Sequence, residues 1–237
     1  MKRLLILALL CAPAIAHAFP AGLQFDNDPM NAGMQGDGAG GIPFTGAPRW
    51  AGHTCDVCHT NAPHTIGLRV EADHPEIFTD GWKPKTTYHL RVILTGEHAG
   101  VAYKASGDMC GQQFDPYTPC DENGFAIEMD DPQGVPAGKL FAFANGACVT
   151  TGTPPPDADT RVMKDGTAAT HNGAHMGQTT WDLCWTSPDA GTRTITAYVT
   201  AVDGNGGDGT ADFPNDTAGD DVAAGAVPLP EAGAPPL

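Results

Sequence analysis

Five short stretches of the chain carry the two-residue period of a β-strand. In TYHLRVIL (87–94), Tyr88, Leu90, Val92 and Leu94 alternate with Thr87, His89 and Arg91. The runs GFAIEMD (124–130), KLFAF (139–143), WDLCW (181–185) and RTITAYVTAV (193–202) are rich in β-branched and aromatic residues. Successive strand side chains point to opposite faces, so each run can bury one face against a core. Clusters of Gly, Pro, Asp and Asn separate the runs, and a sustained 3.6-residue apolar period is hard to find. The pattern predicts an all-β chain folded as an antiparallel, immunoglobulin-like β-sandwich. The same alternation sets His89 on the face opposite Tyr88 and Leu90, as a solvated or hydrogen-bonded strand histidine.

The stretches between these runs read as loops. Residues 19–45 form a Gly-rich segment with little strand character, and 104–123 form a polar insert. TTGTPPPDADTRVMKDG (150–166) is too rich in proline and polar residues for a core element. VAAGAVPLPEAGAPPL, which closes the chain, reads as a solvated extension. With no internal repeat, these features predict one domain over 46–222 and a flexible tail over 223–237.

Composition adds a compartment. MKRLLILALLCAPAIAHAFP opens with Lys2 and Arg3, continues with an apolar run, and places Ala16 and Ala18 around His17. That is the layout of a secretory signal peptide over 1–18, and the apolar run is too short for a resident membrane helix. No second hydrophobic span follows. Without the leader, ten basic residues face 28 acidic ones, a formal charge of −18. So acidic a chain is poorly suited to nucleic acid or anionic lipid, which clustered Lys and Arg bind. The expectation is an exported protein, periplasmic or at the cell exterior.

The chemistry concentrates in TCDVCHT (54–60). In Cys55-Asp56-Val57-Cys58-His59, two thiols are spaced to add to the two vinyl groups of a porphyrin, with an imidazole immediately after to reach the iron. Zinc would want four ligands, usually from two such pairs, and no second C-x-x-C exists in the chain. A thioredoxin-like dithiol would want a strand before it and a helix after it, whereas a Gly-rich loop precedes this motif and Asn61-Ala62-Pro63 follows. A Cys55–Cys58 disulfide remains as an alternative. Covalent haem c, with Cys55 and Cys58 as anchors and His59 as axial ligand, is the reading carried forward.

The order of several pieces resembles the choice-of-anchor and Reeler-like group of bacterial secreted β-sandwich proteins. The matching pieces are GAPRWAGHTCDVCHT, GWKPKTTYHLRVIL, GFAIEMDDPQGVPAGKL, THNGAHMGQTTWDLCWTSP and GTRTITAYVTAVDGNGGDGTADFPNDTAGDDV, covering most of 46–221. The resemblance implies a Reeler-like sandwich with a loop-rich N-terminal haem-binding segment. It also implies a histidine shortly before the W-x-x-x-W-x-x-P strand, and His171 is the residue that matches. Two departures stand out: the 104–123 and PPP segments are long, and the group's C-terminal membrane anchor is missing.

A second axial ligand decides between electron transfer and an open, reactive face. THNGAHM (170–176) is the densest source, with His171 favoured over His175 or Met176. His53, His64, His74, His98 and Met163 are further candidates. Cys110, Cys120, Cys148 and Cys184 allow three connectivities, of which Cys110–Cys120 with Cys148–Cys184 is favoured. The loop AVDGNGGDGTADFPNDTAGDD offers Asp203, Asn205, Asp208, Asp212, Asp216, Asp220 and Asp221 as hard oxygen donors for calcium, without EF-hand spacing. The function expected is one-electron transfer with an unidentified redox protein, a carrier more than an enzyme. The rivals are a cell-surface recognition or scaffold module stapled by haem, and a haem sensor or peroxidase with one open face.

Overall fold

The computed structural model describes residues 43–57, 59, 62–96, 123–155, 158–172, 178–204 and 220–234. Among the described residues, ten strands build two antiparallel sheets. The first runs β1 (Gly67–Ala72), β2 (Thr87–Thr95), β8 (Thr180–Thr186), β4 (Lys139–Ala144) and β5 (Ala147–Cys148). The second runs β10 (Asp221–Leu229), β9 (Ile195–Asp203), β3 (Gly124–Asp130), β7 (Ala168–His171) and β6 (Thr160–Met163). The expected β-sandwich is therefore the fold, and its five sequence-legible strands are β2, β3, β4, β8 and β9.

Alternation explains how the sheets stack. Tyr88, Leu90, Val92 and Leu94 from β2 meet Phe125, Ile127 and Met129 from β3 in one buried core with Trp82, Trp181 and Trp185. Phe125 packs on Trp181 with ring centroids 5.1 Å apart, and Tyr88 stacks on Trp185 at 5.9 Å. These large aromatic faces contribute most of the apolar area removed from water at the centre. The indole N–H groups of Trp82 and Trp185 donate to the Arg193 and Ala137 carbonyls, which lowers the cost of burying them. Cys148 and Cys184 form a disulfide that ties the β5 edge to β8.

Two expectations from the sequence do not hold. The tail from 223 is ordered strand as far as Leu229, paired along its length with β9. Its Ala, Gly and Pro content hides the strand, but Pro228 lies on an edge strand, where a missing N–H costs nothing to the ladder. Beyond it, the Trp82 N–H donates to the Pro230 carbonyl and the Ala232 N–H donates to the Trp82 carbonyl, an isolated parallel bridge that ties residues 230–232 to Trp82. The 150–166 stretch likewise contains a strand, because Thr160–Met163 pairs with β7. Among the described residues, no helix is long and apolar enough to cross a membrane.

Candidate functional site

The outer face of the second sheet positions the motif. Since Phe125, Ile127 and Met129 face the core, Glu128 and Asp130 point the other way, where alternation alone would place them in water. Both are fully buried instead. Residues 43–50 lie over them: Thr45 Oγ1 donates to Glu128 Oε1 at 2.5 Å, and Trp50 Nε1 donates to Oε2 at 3.1 Å. Arg49 donates to the same Oε2 from Nε at 3.0 Å and also from Nη2. Arg49 Nε stands 3.4 Å from Asp130 Oδ2 as well. One guanidinium thus compensates two buried carboxylates, and with Pro48-Arg49-Trp50 in a single 3-10 turn it clamps the chain five residues before the motif. Burial, then the neighbouring Glu128 charge, raise the Asp130 carboxyl to about 6 against the opposing pull of Arg49.

Cys55 begins a 3-10 turn, Cys55–Val57, and packs against a small cluster of Phe44, Met163 and Ala168. The His59 N–H donates to the Cys55 carbonyl at 2.9 Å, which closes the motif on itself. His59 Nδ1 lies 2.6 Å from Asp220 Oδ2, and the side chains of both are mostly buried.

Asp221, the first residue of β10, holds the chain just beyond the motif. Its Oδ1 accepts from the His64 and Val222 N–H groups; its Oδ2 accepts from the Thr65 and Ile66 N–H groups and from Thr65 Oγ1. Burial would raise its carboxyl, but these bonds, led by the Thr65 side chain, bring it down to about 2. His64 takes a left-handed backbone, φ 56°, and its Nδ1 lies 3.0 Å from the Val222 carbonyl.

His171 ends β7. Its ring lies on Gly124, where an added Cβ would come within 2.8 Å of it, and its Nδ1 is 3.2 Å from Thr170 Oγ1. The registers β10–β9, β9–β3 and β3–β7 put His171 at the same end of the sheet as Asp220 and Asp221. Three strand positions, about 14 Å, separate β7 from β10. Of the other described histidines, His53 lies just before the motif, where its carbonyl accepts from the Gly46 N–H, and His89 and His74 lie elsewhere. His89 bonds Asp182 at 2.7 Å on the outer side of the first sheet and stacks on Phe143, as a strand histidine should. His74 meets Tyr88 edge-on, and Met163 is core. Cys58, His98, Cys110, Cys120, His175, Met176, Asn205, Asp208, Asp212 and Asp216 lie outside the described residues.

Among the described residues, no three His, Cys, Asp or Glu side chains converge to hold an ion. Two of the proposed calcium donors have other work: Asp221 serves backbone donors and Asp220 serves His59. Sequence reasoning placed both in the acidic glycine loop and left Glu128, Asp130 and Arg49 unread.

No family model matches the chain, and no curated protein matches it. Solved structures similar to it include the reelin-N domain of F-spondin, at 14% identity over 63% of this chain and 84% of that one, TM-score 0.39. A human F-spondin reeler domain fragment gives 16% identity over 73% and 97%, TM-score 0.37. AvmM, which catalyses macrocyclization in alchivemycin A biosynthesis, gives 9% identity over 74% and 93%, TM-score 0.35. The assignment of a β-sandwich rests on the two sheets themselves.

Proposed function

We propose that the chain is an exported, single-haem c-type cytochrome that carries one electron at a time. The supporting observation is a C-x-x-C-H run whose histidine is held at Nδ1 by a buried carboxylate. Such a bond makes Nε2 the nitrogen available to a metal, as in carboxylate-supported metal histidines. Cys55 and Cys58 would hold the porphyrin through thioether bonds, and His59 and His171 would ligate its iron. The bound iron supplies the one-electron redox change.

The chain's own residues keep that centre in place. Arg49 and Glu128 fix the backbone before the motif, and Asp221 fixes it afterwards. A ligand segment pinned on both sides reorganises little between redox states, which suits a carrier. The signal-like leader fits attachment outside the cytoplasm, and the partner is a second redox protein.

Co-expression with a cytochrome c maturation system tests the reading. The purified protein is expected to be red and to keep a haem-sized mass increment after denaturation, and Cys55→Ala with Cys58→Ala should abolish that increment. A colourless protein whose Cys55 and Cys58 are joined to each other would overturn it.

A further inference from the structure

We propose that Asp220 is a positioning residue that selects the His59 tautomer and makes the ring an electron-rich ligand, setting the bound iron at a low potential. The inference rests on the haem reading above and deepens it.

Three observations build the case. The Asp220 to His59 Nδ1 contact is 2.6 Å, a charge-assisted distance, and Asp220 is 4% exposed, so water competes poorly for its oxygens. An ionised carboxylate only accepts, so the nitrogen facing it must carry hydrogen and Nε2 must carry the lone pair. Both partners are also held from behind. Asp220 precedes Asp221, which is fixed by bonds to residues 64–66 and 222, and the His59 backbone N–H is fixed on the Cys55 carbonyl.

A full negative charge on the far side of the ring donates more electron density than a neutral carbonyl acceptor would. Outer-shell partners of this kind raise ligand basicity, and that favours ferric over ferrous iron.

Asp220→Asn and Asp220→Ala separate the two effects, because asparagine can still accept through Oδ1 but has no charge. In the full chain produced without haem, at about pH 8.5 and so above the ordinary imidazole range near 6.5, nitrogen NMR reads the His59 tautomer. The native chain and Asp220→Asn should show hydrogen on Nδ1, and Asp220→Ala should lose that preference. In the haem-loaded protein, both variants should move the midpoint positive by at least a tenfold change in the ferric–ferrous equilibrium, about 59 mV for one electron.

An unchanged tautomer in Asp220→Ala overturns the positioning role whether or not haem binds. A retained potential in loaded Asp220→Asn overturns the tuning role while leaving the cytochrome standing. A chain that shows the tautomer shift but never takes haem supports Asp220 as the His59 partner and removes the cytochrome reading alone.

Discussion

Arg49 Nε stands 3.0 Å from Glu128 Oε2, a carboxylate with no exposed surface in the middle of a β-strand. A charge there is tolerated only because a segment from the front of the chain covers it and brings its own cation. Removing the cation leaves an uncompensated buried charge, which costs about 3 to 5 kcal/mol. Arg49→Ala should therefore lower the unfolding free energy by that amount, read as a lower denaturant midpoint at unchanged m, and open residues 43–57 to protease. Glu128→Gln, which keeps acceptor geometry without the charge, should cost less. Equal losses in the two variants would count against the clamp.

Asp130 gives stability an unusual pH dependence. Its folded carboxyl is raised to about 6, above an ordinary value near 3.9, so the folded chain binds its proton more tightly than the unfolded chain. Stability from this group is full below the lower value and is lost as pH rises through about 4 to 6. Asp221 works in reverse: its carboxyl is lowered to about 2, so its contribution is present above about 4 and disappears below. Thermal unfolding of the native chain is expected to show greatest stability near pH 4 and a decline from there to about pH 6. Asp130→Asn should remove the decline toward neutrality and raise stability at pH 7 by on the order of 2 kcal/mol. A native stability curve flat between pH 4 and 7 would count against the buried, charge-crowded state of Asp130.

Asp221 is the tether on the other side of the motif. Asp221→Ala would strand the His64, Thr65, Ile66 and Val222 N–H groups; those of Ile66 and Val222 are buried, and leaving each buried donor unpaired costs about 1 to 3 kcal/mol. Partial rescue by water brings the expected loss to about 3 kcal/mol. Hydrogen exchange should show the Thr65 and Ile66 amides losing protection first. Unaltered exchange at both would show that they are held by something other than this carboxylate.

The Cys148–Cys184 bond closes a loop of 36 residues between β5 and β8. On the loop-entropy model it stabilises by about 4 kcal/mol, so the double Ser variant should lose up to that amount. Its spectrum, if haem is bound, should not change, since the bond lies in the sheet opposite the motif. A spectral change without unfolding would link the two sheets in a way the topology does not suggest.

What the chain declares locally and what it conceals follow one division. β2 and β8 are legible because half their side chains must enter the core, and β-branched or aromatic residues recur at those places. β10 is hidden because its ladder with β9 needs little from its own side chains, and Ala223, Ala224, Gly225 and Ala226 carry no strand signal. The Cys55 and His59 motif is legible because its parts lie within five residues. Asp220 is not, since it lies 161 positions from the ring it holds. Glu128 and Asp130 mislead most, because alternation alone assigns them to solvent.

A second ligand to the proposed haem gives the last prediction. Among the described residues, His171 and His64 stand at the His59 end of the second sheet. His171 ends β7 with its ring over Gly124, and His64 hangs from the start of β10 by the Val222 carbonyl. His64 is only five residues from His59, and its backbone is tied to Asp221 on the same strand start that holds His59. His171 approaches from a strand on the far side of β9 and β3, so it can reach an opposite face without the chain doubling back. In the reduced, haem-loaded protein, His171→Ala should turn a six-coordinate spectrum five-coordinate and let carbon monoxide bind without displacing a ligand. It should also lower the thermal midpoint, because a ligand from β7 links the first and last thirds of the chain through the metal. If His171→Ala remains six-coordinate while His64→Ala does not, the ligand is His64. A native protein that binds carbon monoxide without ligand displacement would instead have an open face, the geometry of a sensor or peroxidase rather than a carrier.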